Sequence, residues 1–229
     1  MRAARAAAAW ILVSTTVASA HLRPVGGSLV ELVGAADAIV LAEAVAATVD
    51  RRDPVAGTVA ETRFRTVEKI AGAESGETFT VSAGVPPLRY APGQRAFVLL
   101  ERSAGGWQAT QPAGMGLVLS SADTPAESVS ILAALFDATR AEEPRADDLA
   151  PILRRAARAP HPKIRLMAAL DLAELVHHDR LVVTEKAATR ALLDDPDLDR
   201  AARTPLAAAF ARAEPPEAGK SSDEDGSTQ

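Results

Sequence analysis

Between Thr58 and Ser120 apolar and polar positions alternate with period two, broken by glycine and proline. That pattern belongs to short, half-buried antiparallel strands. Upstream, Ser28 stands where it can cap a short apolar helix, Leu29 to Val33, with Glu31 near the positive end and Gly34 as the stop. Ala38 to Val49 reads as the first strand, with a helix as competitor because of its alanines, and Asp50 to Pro54 reads as a loop. The best strand candidate is Thr58 to Val67; Val59 and Phe64 fall on opposite faces of a regular strand, so a bulge is expected near Thr62. Gly72 closes that segment. Phe79 and Val81 share a strand face, and Gly84 to Pro92 is a loop. Ala96 to Leu100 is a continuous apolar run suited to burial on both sides, Gly105-Gly106 turns the chain into Trp107, and Gly116 to Ser120 is a last short strand. Five or six short strands with one early helix suggest a small closed barrel, since closure removes the edges.

From Thr124 the period changes to that of helices. Thr124-Pro125-Ala126-Glu127 is a capping box, and Val129, Leu132, Ala133, Leu135 and Phe136 form the stripe of a helix ending near Arg140. A second helix starts at Asp147, with Leu149, Ile152, Leu153 and Ala156 turned inward. A faint repeat follows. Aligned on Pro162 and Pro196, Ile164 matches Leu198, Met167 matches Ala201, and Leu172 matches Leu206, while Pro205 is expected to kink or shorten the second copy.

The run ADAIVLAEAV, TVAETRFRTVEKIAG, GETFTV, PGQRAFVLLER and GGWQATQPAGMG resembles the OB-like, netrin/metalloproteinase-inhibitor-like module of exported bacterial proteins, over roughly Leu29 to Ser121. The resemblance implies a barrel that uses one sheet face and its loops for ligands. The chain lacks the N-terminal cysteine with which animal inhibitors of that fold meet a protease metal. The start of the helix after His161-Pro162 resembles HEAT-type repeats, over roughly Asp147 to Arg212. The expected fold is thus α+β: a small antiparallel OB-like barrel over 21–121, then an α-helical HEAT-like hairpin domain over 122–213.

Composition sharpens the picture at the chain ends. Arg2 and Arg5, the apolar run Ala6 to Val13 and the small residues Ala18-Ser19-Ala20 read as an export signal over 1–20, with the mature chain starting at His21. That apolar run is far short of the ~20 residues a membrane span needs. Location is therefore expected to be periplasmic or secreted, with no transmembrane segment in the mature chain. The tail, 214–229, is acidic and proline-punctuated and is expected to be disordered. The formal net charge of −5 offers no basic stripe to nucleic acid. With no cysteine, thiol catalysis and thiolate metal sites are excluded.

The remaining candidates are few. His21, as a mature N-terminus, would offer an amine and an imidazole to copper, with His161, His177 or His178 as the second ligand. His177 and His178 are adjacent, point about 100° apart on a helix and do not converge on one ion by themselves. Ser120, Ser121 and Asp123 lack a nucleophile elbow, and Gly114 and Gly116 lack a phosphate-loop frame. Arg89, Tyr90, Arg95 and Trp107 are the candidate binding residues, Trp107 having core closure as its competing role. No catalytic constellation and no cofactor emerge. The expected function is a non-enzymatic interaction or ligand-binding module whose partner is another protein of the envelope or exterior; the alternatives are a copper protein using His21 and a protease-inhibitor-like protein.

Overall fold

The computed structural model describes residues 27–53, 57–83, 89–103, 106–109, 117–118 and 126–213. The expected export signal, His21, the capping box at Thr124 and the acidic tail lie outside them. The described chain is α+β, an antiparallel sheet followed by helices. It opens with α1 (Leu29–Ala35), capped as expected: the Ser28 hydroxyl accepts from Glu31 N–H at 3.1 Å. Gly34 lies inside this helix rather than ending it.

Seven strands follow: β1 (Ala38–Ala44), β2 (Val49–Asp53), β3 (Gly57–Gly72), β4 (Thr78–Ala83), β5 (Arg95–Ser103), β6 (Gly106–Ala109) and β7 (Leu117–Val118). The expected first strand is thus two, divided at the exposed residues Val45, Ala46 and Ala47. The expected loop at Asp50 is strand β2, whose polar residues are satisfied sideways: Arg51 donates to Glu61 of β3 at 3.1 Å. The long β3 carries β1 and β2 along one edge and β4 along the other. β5 pairs with β1 on one side and with β6 and β7 on the other. The outermost strands, β4 and β6, lie against each other, so the sheet curls round its inner face. Among the described residues no ladder joins them, and the expected closed barrel is an open sheet along that seam.

The register explains the apolar pattern. No bulge falls at Thr62. The β3–β4 ladder runs unbroken from Ala60 to Arg65, and the register shifts lie opposite Ile39/Val40 and Leu41/Ala42, where Ile70 and Val67 of β3 are left unmatched. Ala60, Thr62 and Phe64 therefore point inward together and are buried. Buried Thr62 is tolerated because its hydroxyl hydrogen-bonds Thr48 at 2.7 Å, and a buried polar group without a partner would be costly. At the far end of β3, Gly72 adopts φ 79°, and a Cβ there would come within 2.2 Å of the Asp37 carbonyl oxygen. Only glycine fits this start of the β1–β3 ladder.

β1 and β5 are buried on both faces. Ala38, Val40, Ala42, Ala96, Val98 and Leu100 face the inner cluster with Phe64, Phe79 and Tyr90. Ile39, Leu41, Phe97 and Leu99 face the other way, into the helices. A strand covered twice reads as an unbroken apolar run, which is what β1 and the first half of β5 are.

Those helices are α2 (Ala126–Thr139), α3 (Ala146–Ala156), α4 (Pro162–His177), α5 (Val183–Arg190) and α6 (Arg200–Ala213), with a 3-10 turn at Ala191–Asp194. α4 packs against α3 and α6, and α1 lies against α2, α4 and β5. Of the positions aligned on the two prolines, Leu172 and Leu206 are both buried, as are Ile164 and Leu198, but Met167 is buried where Ala201 is exposed. α6 runs through Pro205 without shortening. One apolar cluster joins α1, the outer faces of β1 and β5, and α2, α3, α4 and α6. At about 1.5–3 kcal/mol for each large apolar side chain buried, the four sheet residues and the Leu29, Leu32 and Val33 they share it with make this junction a core rather than a loose contact.

Candidate functional site

The four residues singled out for binding are divided between two environments. Tyr90 is buried in the inner cluster, edge-on to Phe64 with ring centroids 5.0 Å apart, while Phe64 stacks on Phe79 at 5.6 Å. Burial pushes the Tyr90 hydroxyl up to about 12. Trp107 is half-buried against the same cluster, with the Arg102 guanidinium 5.2 Å from its ring centroid. Both aromatic residues pack the curled sheet. Arg89 is exposed and paired with Asp50, at 2.9 and 2.8 Å to its two oxygens. Arg95 lies exposed at the start of β5, opposite Glu43, which in turn pairs with Arg65 at 3.0 Å. Exposed pairs of this kind contribute at most about 1 kcal/mol.

The histidines separate as well. His161 is buried at the N-terminus of α4, its ring 6.3 Å from Phe97 of the sheet, and its Nδ1 accepts from Ile164 N–H at 3.5 Å. It serves the junction between helices and sheet. His177 and His178 are exposed at the end of α4, their ring centroids 4.9 Å apart, and His178 reaches back to Glu174 at 3.1 Å. Among the described residues no group of three or more histidine, aspartate or glutamate side chains could hold a metal ion. No helix among them is long and apolar enough to cross a membrane.

A cleft of about 710 Å³ opens elsewhere, between the N-terminus of α1, α3, the second half of α4 and α6. Its walls are mainly apolar, with Val30, Leu149, Leu153, Leu170, Pro205 and Ala209 among them. Helix periodicity puts the α4 contribution on one face: Leu170, Asp171, Glu174 and His178 fall within two turns, and the mouth carries Arg180 and Arg212. Asp171 is the most perturbed group here. Its Oδ2 accepts from Val30 N–H at 3.0 Å, and Leu29 N–H and the Ser28 hydroxyl also reach the carboxyl. Those bonds favour the carboxylate, yet burial outweighs them and pushes the carboxyl up to about 6, with the Glu31 charge adding a little. A large concave site with apolar walls, a few convergent polar groups and one strongly shifted carboxyl is the ordinary make-up of a binding site.

Sequence reasoning named His177 and His178 but not the cleft they border. Nothing local marks Asp171: it is one acidic residue in MAALDLAEL, and its partner lies 141 residues away. The chain matches no protein-family model and no curated protein.

Proposed function

We propose that this is an exported, non-enzymatic binding protein, and that its ligand or partner engages the cleft between α1, α3, α4 and α6. The observation that carries the reading is the cleft itself: about 710 Å³, apolar-walled, with Asp171, Glu174 and His178 on one helix face and His177 beside them in its lining. A volume of this size suits a small molecule or one anchoring segment of a protein. Export rests on the signal-like sequence before His21. The sheet supports an OB-like reading, because β1 pairs β3, β3 pairs β4, β1 pairs β5 and β5 pairs β6, with β4 beside β6. The burial of Leu172 and Leu206 at matching positions supports a HEAT-like reading of the helices.

Glu174→Trp is the test. Glu174 borders the cleft with an exposed side chain, so a tryptophan there fills the mouth without entering the core. The native chain and the variant are used as baits on the exported protein fraction and on its small-molecule extract. A molecule retained by the native chain and lost with the variant, whose far-UV circular dichroism is unchanged, supports the cleft. Equal retention by both moves the site elsewhere.

A further inference from the structure

The cleft between α1, α3, α4 and α6 joins aliphatic walls to a charged rim. Val30, Leu149, Leu153, Leu170 and Ala209 stand in the walls, and none of the described residues lining it is phenylalanine, tyrosine or tryptophan. Its acidic groups are already engaged. Asp171 takes the Val30 amide at 3.0 Å, with Leu29 N–H and the Ser28 hydroxyl also at its carboxyl. Glu174 holds His178 at 3.1 Å, and Glu31 has a partner too. The two arginines differ. Arg180, in the turn after α4, and Arg212, in the last turn of α6, are both exposed, and neither meets a carboxylate among the described residues. Among those residues their guanidinium groups make one hydrogen bond, from Arg212 Nε to the Ala208 carbonyl of its own helix at 3.2 Å. Arginine keeps its charge throughout the ordinary pH range, so the cleft presents two standing cations beside apolar walls.

We propose that the ligand of the cleft is a single-chain aliphatic carboxylate, its hydrocarbon chain against the apolar walls and its head group between Arg180 and Arg212. The inference deepens the reading of the cleft as a binding site and rests on it. A guanidinium matches a carboxylate in geometry as well as in charge, two N–H groups to two oxygens. Leucine, valine and alanine walls give a hydrocarbon chain contact along its length, and they offer no aromatic face for a ring to stack on. The volume, about 710 Å³, is that of a site for a drug-sized molecule, which a two-chain membrane lipid exceeds. A phosphate head would also draw on the first amides of a helix. Those of α1 are taken: Leu29 and Val30 by Asp171, and Glu31 by the Ser28 hydroxyl at 3.1 Å. The cations left open are therefore side chains, and they suit a carboxylate.

Calorimetric titration of the full chain with decanoate, decanol and decylamine tests it, since the three share a chain and differ in head group. Decanoate is expected to bind at least about tenfold more tightly than decanol, and decylammonium most weakly. From octanoate to dodecanoate the affinity is expected to climb about fourfold per added carbon, the ratio that ~0.8 kcal/mol per buried CH₂ gives. Arg180→Gln combined with Arg212→Gln changes only exposed side chains. It is expected to abolish the preference for decanoate over decanol and to keep the chain-length slope, whereas Glu174→Trp is expected to abolish binding of all three. Equal binding of decanoate and decanol, a preference that survives the double arginine variant, or a tighter hold on decylammonium would overturn the carboxylate; with Glu174→Trp still blocking uptake, the cleft would stand as the site. Decanoate held equally by Glu174→Trp would remove the inference and the cleft together. No binding of any of the three would overturn the inference and leave the cleft to the capture experiment above. A native chain that sediments as a dimer, becomes monomeric with Glu174→Trp and takes up no decanoate would give the cleft to a second copy and overturn the inference.

Discussion

Val30 and Asp171 stand 141 residues apart and share a hydrogen bond of 3.0 Å that ties the first helix of the described chain to the fourth. Because the Asp171 pKa is raised in the folded protein, its contribution to stability is greatest below about pH 4 and is lost as the pH rises through about 6. The direction is opposite to that of most paired carboxylates. Asp171→Asn should therefore be no more stable than the native chain at pH 4 and at least as stable at pH 8. Calorimetric Tm values at the two pH values decide it; a variant that loses more stability at pH 8 than at pH 4 contradicts the assignment.

Tyr90 is the single tyrosine of the chain, so its ionisation can be followed directly by ultraviolet absorbance. Burial holds the hydroxyl at about 12. In the folded protein the phenolate signal should be absent at pH 10.5 and should appear at once in denaturant at the same pH. Stability should fall between pH 10 and 12, since the contribution of a raised group is complete below its unfolded pKa and is lost as the pH rises through its folded one. A free tyrosine titration near 10 in the folded chain would place Tyr90 outside the inner cluster.

Gly72→Ala should cost about 2 kcal/mol or more, from the left-handed backbone and from the clash with the Asp37 carbonyl. For a chain of this size that corresponds to a Tm loss of roughly 4–8 °C. Gly93→Ala is the control. Its φ is also 79°, but nothing lies within 4 Å of the added carbon, so it should cost only the backbone share. Equal losses in the two would remove the close approach as a cause.

Phe97 tests whether sheet and helices share one core. It is fully buried on the outer face of β5, beside the His161 ring. Phe97→Ala should cost about 3–5 kcal/mol. Helix dichroism and Trp107 fluorescence, measured in a Trp10→Phe background, should shift together to lower denaturant. Transitions that separate would show two independent units.

What could be read in advance follows physical locality. Period-two alternation gave away Phe79 and Val81, and the continuous run Ala96 to Leu100 gave away a strand buried on both faces, because burial writes itself directly into side-chain type. β2 was hidden because Asp50, Arg51, Arg52 and Asp53 have the composition of a turn, and only their lateral pairing with β3 makes a strand of them. The bulge expected near Thr62 came from setting Val59 and Phe64 on one face; the buried face is instead Ala60, Thr62 and Phe64, and the hydroxyl bond to Thr48 lets Thr62 sit on it. The cleft was not legible at all. It is built from α1, α3, α4 and α6, and no local pattern announces that Asp171 will meet Val30.

The most direct test of the cleft is hydrogen exchange on the native chain with a molecule captured by it. New protection is expected at residues 28–31 of α1, 170–178 of α4 and 205–212 of α6, with little change on β3 and β4. Protection confined to the sheet around Arg89, Arg95 and Trp107, with those helices unchanged, would contradict the account.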